Sequence, residues 1–322
     1  MIKHPKILLI YNPQAGSKRK HVSWTKSYTL EEIQSLLQQY QIVADMAATN
    51  GPGDATKLAT KAVKDKCKLV LVAGGDGTIS EVASCLVNTN VTLGILPLGT
   101  MMNIAWMLSI PTDLEKAVQL IKIGRKRKID VGAITQVGGD KLQKPYYFLE
   151  NAGLRVDEEF QRGFIDWERG KIKNPLKVLN VLFQFRARRA TIEIDKERIQ
   201  VRAPMITVSN GPRTGAALTM APQAKLNDHR LTVSIFKMDV SHLVRYFIGS
   251  KLGRTLEDKK IQRYQAKIVR LTSHKPQLIH VDGRLFGTTP VEIKLIAGAL
   301  KVISGFPKPE QSALTRRTRL DP

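Results

Sequence analysis

The chain has 322 residues, of which 43% are hydrophobic and 25% charged, and its 51 Lys and Arg against 28 Asp and Glu give a formal net charge of +23. This composition is globular and excludes fibrous, repeat and largely disordered architectures, while the positive charge favours anionic partners such as a nucleotide, a nucleic acid or an anionic bilayer. Two cysteines exclude a disulfide framework, and without an apolar run of about 18 residues we expect a cytoplasmic protein whose membrane association is peripheral.

Strand-like and helix-like segments alternate over the first 130 residues. Strands are predicted at 6–11, 69–73 and 92–96, and helices at 30–41, 54–66 and 80–87. This order predicts a parallel sheet with helices on its faces, and the ligands of such sheets collect at the carboxyl ends of the strands. Four candidate turns are expected at that edge, at residues 12–16, 49–54, 74–77 and 97–100.

The third strand of this order runs into the turn Gly74-Gly75-Asp76-Gly77 before a helix. Glycines permit positive φ angles and let backbone N–H groups approach a polyphosphate, and the helix adds its positive end. Thr78 and Glu81 have the spacing of a capping box that would start this helix. A carboxylate beside phosphates needs a cation between them, so we interpret Asp76 as a Mg²⁺-linked or proton-handling group. The structural alternative is a tight turn with a surface aspartate.

After Asp130 the pattern changes to short strands separated by Gly, Pro, Asn and Asp turns, which is typical of an antiparallel sandwich. Helices are predicted within it at 174–187 and 240–253. We therefore predict an α/β fold with two domains: a parallel-sheet domain with the phosphate-binding turn at 1–131, to which residues 304–322 return, and a β-sandwich domain at 132–303. The strands are expected at 131–134, 146–149, 190–194, 199–203, 205–209, 231–236, 267–271, 277–281, 290–295 and 299–303.

Eight short motifs, each weak alone, resemble in their order the diacylglycerol kinase catalytic-domain family of soluble bacterial lipid kinases, which includes relatives acting on sphingosine and ceramide. The resemblance covers most of the chain. It implies that residues 1–131 form an NAD kinase/diacylglycerol kinase-like nucleotide-binding domain for ATP, and that the sandwich at 132–303 is the lipid-substrate domain. It also implies an ATP- and Mg²⁺-dependent kinase that phosphorylates the hydroxyl of a membrane lipid such as diacylglycerol. The motifs are Asn12-Pro13 to Gly16, Thr49 with Gly53-Asp54-Ala55, Gly74 to Glu81, Pro97-Leu98-Gly99-Thr100, Ile129-Asp130-Val131-Gly132, Asn151-Ala152-Gly153, Ala221-Pro222 to Asp228, and Val281-Asp282-Gly283.

The resemblance also implies which residues form the site. Asp76, Asp282 and Arg284 would be catalytic, and Asp130 would support the metal and its water. Asp228, with carbonyls near Lys225 and Arg230, would hold a structural Mg²⁺. The residues implied around ATP are Asn12, Thr49, Gly74, Gly75, Asp76, Gly77, Thr78, Ile79, Ser80, Glu81 and Thr100.

Two positions depart from the family pattern. Asn103 stands where many members have an acid, and Arg284 replaces a Glu proposed as the proton acceptor, a role that arginine cannot fill. Phosphoryl transfer draws most of its rate from positioning and charge neutralisation, so loss of the Glu does not by itself abolish activity. In a working kinase, Arg284 would stabilise the γ-phosphate while Asp282 or Asp76 accepts the proton. The alternative is a nucleotide- or anionic-lipid-binding protein that no longer turns over.

Two basic clusters, within 161–190 and 245–263, predict docking on an anionic membrane surface, although solvated helix faces explain them equally well. An NAD kinase-like phosphotransferase with a soluble acceptor also uses Gly-Gly-Asp-Gly and stays an alternative. RNA-binding aromatic motifs are absent, which argues against nucleic acid as a partner. The sequence leaves a homodimer open and does not name the acceptor lipid.

Overall fold

The computed structural model describes residues 6–15, 28–138, 144–154, 187–215, 218–251 and 258–306. The chain divides into two compact units, and it passes from one to the other after Val131 and after Ile296. The first unit contains the described residues up to 131 together with 297–306, and the second contains those from 132 to 296. The predicted return of residues 304–322 to the first domain falls mostly outside the described residues.

The first unit alternates strands with helices. The last part of β18 (Val291–Ser304) returns to this unit, and β5 (Arg125–Gln136) begins in it. Its other strands are β1 (Ile7–Tyr11), β2 (Asp45–Ala48), β3 (Leu69–Gly74) and β4 (Thr92–Pro97), and its helices are α1 (Leu30–Gln39), α2 (Asp54–Lys64), α3 (Asp76–Leu86), α4 (Asn103–Met107) and α5 (Leu114–Ile123).

Strands β1 to β4 form a parallel sheet in the order β2-β1-β3-β4. The end of β18 joins β4 in parallel, with Lys301 opposite Thr92. Strand β4 is buried throughout and β3 almost throughout, which explains why both read as continuous apolar runs rather than as alternating patterns. Parallel pairing places the carboxyl ends of all four strands at one edge of the sheet.

Side-chain caps define where two helices of this unit begin. Thr29 Oγ1 accepts a hydrogen bond from Glu32 N at 3.2 Å, and Glu32 Oε2 accepts one from Thr29 N at 2.9 Å, which closes a capping box at α1. Asp113 Oδ1 accepts a hydrogen bond from Lys116 N at 2.9 Å and caps α5.

The second unit consists mainly of short antiparallel strands. Its one described helix, α6 (Val240–Lys251), is the longest that the described ranges contain, and none of the helices there is long and apolar enough to cross a bilayer. Beside parts of β5 and β18, its strands are β6 (Tyr146–Phe148), β7 (Asn151–Leu154), β8 (Arg188–Ile194), β9 (Glu197–Ala203), β10 (Met205–Ser209), β11 (Arg213–Thr214), β12 (Leu218–Thr219), β13 (Leu231–Phe236), β14 (Ile261–Ala266), β15 (Ile268–Thr272), β16 (Leu278–Val281) and β17 (Arg284–Thr288).

Two antiparallel sheets of this unit share one hydrophobic core. One sheet has the order β14-β13-β10-β7-β16-β17, and the other has the order β18-β15-β8-β9. Alternate residues of each strand face the core, as the period of two in a strand requires. The prediction of a parallel-sheet unit followed by an antiparallel β-sandwich is confirmed. Core residues from both sheets include Ile192, Val208, Val233, Val269 and Ile293.

Several elements differ from the sequence-based prediction. Helix α3 begins at Asp76 and not at Ser80, and the predicted strands 290–295 and 299–303 form the single strand β18, which continues through Gly298 at φ +57°. Strand β2 was not predicted because this edge strand contains Asp45 and has no fully buried residue. The predicted helix at 174–187 lies outside the described residues apart from its last one. Also unpredicted are α4, α5, β7, β11, β12, β14 and β17.

Charges of opposite sign alternate along one row of the outer face of the β18-β15-β8-β9 sheet. Arg270 lies between Glu292 and Glu193 in the pairing of the strands. Arg270 Nε donates to Glu292 Oε2 at 2.6 Å, and Lys294 Nζ lies 2.5 Å from Glu292 Oε1. The hydrogen bonds from Lys294 and then from Arg270 lower the pKa of Glu292 below its ordinary value.

We expect Glu292→Gln to lower the free energy of unfolding near neutral pH by about 1 kcal/mol. An acid whose pKa is lower in the folded state contributes stability above its unfolded pKa, and this contribution disappears as pH falls through the folded value. The difference from the wild type, measured by urea unfolding across this range, should therefore vanish in acid. Glu193→Gln is the matched control, because Glu193 Oε2 lies 3.9 Å from Arg270 Nη1. A difference that persists in acid would contradict the ion-pair explanation.

Candidate functional site

The loops that follow β1, β2 and β3 lie next to one another at the carboxyl edge of the parallel sheet. Thr49 N, directly after β2, donates to Tyr11 O at 2.8 Å. Asn12 N, directly after β1, donates to Ala73 O at 2.9 Å. These backbone hydrogen bonds hold three of the four predicted turns in one row.

The turn after β3 packs against the turn after β4. Leu98 N donates to Gly74 O at 3.0 Å. A Cβ on Gly99 would lie 2.5 Å from the Cα of Gly75 and 2.7 Å from Met102 Sδ, so only glycine fits there. The expectation that the glycines of the turn after β3 serve to reach positive φ angles is wrong, because Gly74, Gly75 and Gly77 all have φ angles outside that range. At Gly99 the absence of a side chain instead permits the close packing of the two backbone segments.

Helix α3 begins inside the glycine turn, at Asp76, with Gly75 as an N-cap that has no side chain to offer. The predicted capping box of Thr78 and Glu81 is wrong, because both residues lie within the helix. Thr78 Oγ1 instead accepts a hydrogen bond from Asn12 Nδ2 at 2.9 Å. The first-turn amides of a helix have no partner within it, and together with the helix dipole they make this end suitable for an anion.

The carboxylate of Asp76 caps a second helix, α4. Its Oδ2 accepts a hydrogen bond from Asn103 N at 3.1 Å, and its Oδ1 accepts one from Ile104 N at 3.0 Å. Helix α4 has no cap of its own, since its N-cap residue Met102 is in the left-handed region at φ +52°. Burial raises the pKa of Asp76 above its ordinary value, and the hydrogen bonds from the α4 backbone oppose that rise. Asp76 is therefore neither a freely exposed nor a loosely held aspartate.

The surroundings of Asp76 fit a cation whose remaining ligands come from elsewhere. A carboxylate offers about four lone-pair sites, so the backbone donors of residues 102–104 leave room for a cation beside them. Mg²⁺ in phosphoryl-transfer sites is bound through one or two carboxylates together with phosphate oxygens and water. Among the described residues no three His, Cys, Asp or Glu are grouped as metal ligands.

The other residues predicted around ATP divide into two groups. Asn12, Thr49 and Thr100 lie with the glycine turn at the strand ends, and Asn12 is held further by Gln14 N, which donates to its Oδ1 at 3.0 Å. Ile79 has a fully buried side chain and belongs to the hydrophobic core. Of the later α3 residues, Ser80 is buried and Glu81 is half-buried.

Asp130 is fully buried in β5 and has a structural partner within the first unit. Its Oδ1 accepts a hydrogen bond from Gly298 N at 2.8 Å, at the point where β18 passes through a positive φ angle. The contact holds an irregular position of β18 in place. A role for Asp130 beside a metal stays a prediction.

Asp282 organises a loop of the second unit. Its Oδ2 accepts a hydrogen bond from Leu149 N at 3.1 Å, and its Oδ1 accepts hydrogen bonds from Glu150 N at 3.0 Å and Asn151 N at 3.1 Å. Its own N–H donates to Asn151 O at 2.9 Å, and its φ is +44°. The carboxylate is thus held by three backbone donors, which is the geometry of a structural acceptor.

The remaining predicted residues lie in two turns of the second unit. Arg284 opens β17 opposite Val281 with an exposed side chain. Arg230 N donates to Asp228 Oδ1 at 3.1 Å, and the turn from Lys225 to Arg230 contains this one half-buried carboxylate. A carboxylate with nearby carbonyls is a set of oxygen ligands that Mg²⁺ accepts, so the predicted structural metal is compatible with the turn.

Sequence reasoning missed Glu150, a buried acid in the loop whose backbone N–H groups donate to the Asp282 carboxylate. Glu150 Oε2 accepts a hydrogen bond from Gly215 N at 3.1 Å, and its carbonyl accepts from Asn210 N at 2.9 Å and Gly211 N at 3.2 Å. The signal was an acid directly after the apolar run 146–149 and directly before the Asn151 motif.

The two units match two described families. Residues 6–134 match the diacylglycerol kinase catalytic domain, and residues 154–304 match the YegS C-terminal NAD kinase beta sandwich-like domain. The "Probable lipid kinase YegS-like" of Klebsiella pneumoniae (strain 342) is 30% identical over 249 residues, which cover 73% of this chain and 75% of that protein. The "Diacylglycerol kinase" of Bacillus subtilis (strain 168) is 28% identical over 315 residues, which cover 94% of this chain and 97% of that protein.

A solved structure agrees with these matches at the level of the fold. The crystal structure of a diacylglycerol kinase from Bacillus anthracis str. Sterne has a TM-score of 0.71 and 23% sequence identity, and the match covers 95% of this chain and 98% of that one. Three findings indicate the same family: the order of the motifs, the glycine turn at the strand ends and the similarity along nearly the whole chain. The chain belongs to the diacylglycerol kinase catalytic-domain family.

Proposed function

We propose that the protein is an ATP- and Mg²⁺-dependent lipid kinase that transfers the γ-phosphate of ATP to the hydroxyl of a membrane lipid such as diacylglycerol. The first unit would be the ATP-binding domain and the second the lipid-substrate domain. The observation that carries the proposal is the glycine turn at the start of α3, with Asp76 held at the carboxyl edge of the sheet. The names of the curated relatives support a lipid as the acceptor.

In the proposed reaction the acceptor oxygen forms a bond to the γ-phosphorus, and the bond from that phosphorus to the bridging oxygen breaks, so that ADP leaves. The first-turn amides of α3 would hold the phosphates. Mg²⁺, when bound, supplies charge neutralisation of the phosphate oxygens. The proton of the acceptor hydroxyl needs a base, and the raised pKa of Asp76 makes its carboxylate the candidate that we prefer.

Docking on an anionic membrane surface would bring such an enzyme to its acceptor. The formal charge of +23 supports this proposal, because each basic residue near an anionic leaflet contributes about 1 kcal/mol. Most of the predicted cluster within 161–190 lies outside the described residues. Among the members of the second cluster, Lys259 and Lys260 are exposed, as docking requires.

A soluble acceptor is the second candidate function. The sandwich unit matches a domain described as NAD kinase beta sandwich-like, and an NAD kinase-like enzyme would phosphorylate a dinucleotide hydroxyl instead of a lipid. The fold admits both activities, so only the identity of the phosphorylated product separates them.

The direct test is incubation of the wild-type protein with ATP labelled at the γ-phosphate, mixed membrane lipids including diacylglycerol, and NAD. We expect label in the lipid extract, none after chelation of divalent metal, and recovery when Mg²⁺ is added back. Label in NAD would establish the second candidate. ATP binding without labelled product would identify a protein that no longer turns over.

Variants of Arg284 in the same assay distinguish two explanations for this departure from the family. If its charge stabilises the transferring phosphoryl group, Arg284→Ala should lower kcat by about tenfold or more with a smaller effect on KM, and Arg284→Glu should not restore it. If Arg284 only blocks an inherited site, Arg284→Glu should raise activity and Arg284→Ala should be silent. Equal activity in all three proteins would remove this residue from the mechanism.

A further inference from the structure

The second unit has an open site of about 370 Å³ at the end of the hairpin formed by β8 and β9. Sites for small ligands typically occupy about 300–1,000 Å³, so this volume is sufficient for one. The site lies away from Asp282 in the strand pairing, on a different sheet of the sandwich. Its polar lining comes from Arg189 and Thr191 of β8, Gln200 and Arg202 of β9, and Ser273 and His274 of the turn after β15.

Two arginines of this lining stand directly opposite each other. Arg189 pairs with Arg202 in the register of the hairpin, and directly opposite residues of antiparallel strands have Cβ atoms only about 4.5–5.5 Å apart. Like charges in that position destabilise a sheet. Arg202 Nε donates to Ala187 O at 3.4 Å, and within the described ranges neither guanidinium contacts a carboxylate.

The same two strands avoid this arrangement further along. Four residues from Arg189, Glu193 stands opposite Arg198, and on its other side Glu193 faces Arg270 of β15. Positive and negative charges alternate in that row, whereas the row at the open site has two cations. Among the described residues, the row at the site therefore has no acid that would balance its two arginines.

We propose that this site binds a phosphate group, as a phosphate ester in solution or as the head group of a phospholipid. A guanidinium presents paired N–H donors that match phosphate oxygens, and an anion between two arginines removes their repulsion. Thr191 and Gln200, opposite each other in the next pair, add a hydroxyl and an amide donor. The proposal does not rest on the kinase function, because every measurement that tests it is one of binding or stability.

The test compares the wild type with the double variant Arg189→Gln/Arg202→Gln and with Arg198→Gln. The last is the matched control, because it removes a charge from the same face of β9 in the row where Glu193 is present. In equilibrium dialysis with glycerol 3-phosphate, and in sedimentation with phosphatidylcholine vesicles with or without phosphatidate, we expect the double variant to bind about tenfold more weakly or worse. Arg198→Gln should change binding by no more than about twofold.

The two binding measurements, with glycerol 3-phosphate and with vesicles, identify the source of the phosphate. Binding of glycerol 3-phosphate that the double variant loses would assign a soluble ester, and binding only to phosphatidate vesicles with the same loss would assign a head group. Either result supports the site. Wild-type protein that binds neither probe, or an equal loss in Arg198→Gln, would overturn it. In phosphate-free buffer Arg202→Gln should raise the Tm, since it removes the repulsion, and a lowered Tm would count against the proposal.

Discussion

Asp76→Asn is expected to lower kcat by about 10²-fold or more and, in addition, to reduce the free energy of unfolding by about 1–3 kcal/mol. The catalytic loss follows if Asp76 handles the proton or neutralises a cation, since asparagine does neither. The loss of stability follows from the geometry of α4. An asparagine offers one acceptor oxygen, so its NH₂ group would face the N–H of either Asn103 or Ile104.

Steady-state kinetics with the labelled-phosphate assay, together with urea unfolding of the same preparations, measure both effects. Asp113→Asn is the matched control, because Asp113 also caps a helix of the first unit but lies on α5, and asparagine is a good N-cap. We expect this control to retain both activity and stability. Turnover of Asp76→Asn at the wild-type level would exclude the residue from the mechanism, whatever its stability.

Asp282→Ala is expected to lower the free energy of unfolding by about 3 kcal/mol or more. The substitution leaves three backbone donors of residues 149–151 without their acceptor, and each such loss costs about 1–3 kcal/mol when the group is buried. Alanine also tolerates a φ of +44° poorly, whereas Asp and Asn adopt such angles more readily. The change should be visible as a shift of the urea midpoint.

Asp282→Asn separates this structural role from proton transfer. Its side-chain oxygen can still accept one or two of the three backbone hydrogen bonds, so we expect a smaller loss of stability, about half that of Asp282→Ala. If Asp282 acts only through its backbone contacts, kcat of the folded variant should remain within about tenfold of the wild type. A kcat loss of about 10²-fold or more at nearly unchanged stability would instead identify Asp282 as the base and contradict our preference for Asp76.

Local sequence patterns determined the architecture because the signals for it lie within single elements. Continuous apolar runs at β1, β3 and β4 predicted buried parallel strands, and the alternating runs after Asp130 predicted a sandwich. The turns that follow parallel strands must meet at one edge, so the neighbourhood of Asn12, Thr49 and the glycine turn was also predictable. Elements with few apolar residues, such as β2, carried too weak a pattern and were missed.

What the side chains of the site do was decided by tertiary structure, since their partners are far away in the chain. The Asp76 carboxylate accepts hydrogen bonds from backbone N–H groups 27 and 28 residues later in the chain. The Asp282 carboxylate accepts hydrogen bonds from N–H groups 131 to 133 residues earlier. Neither local propensity nor motif spacing encodes such pairs. The glycines illustrate the same limit: the residue type indicated a special backbone position, but only the approach of Gly99 to Gly75 revealed that close packing, and not a positive φ, requires it.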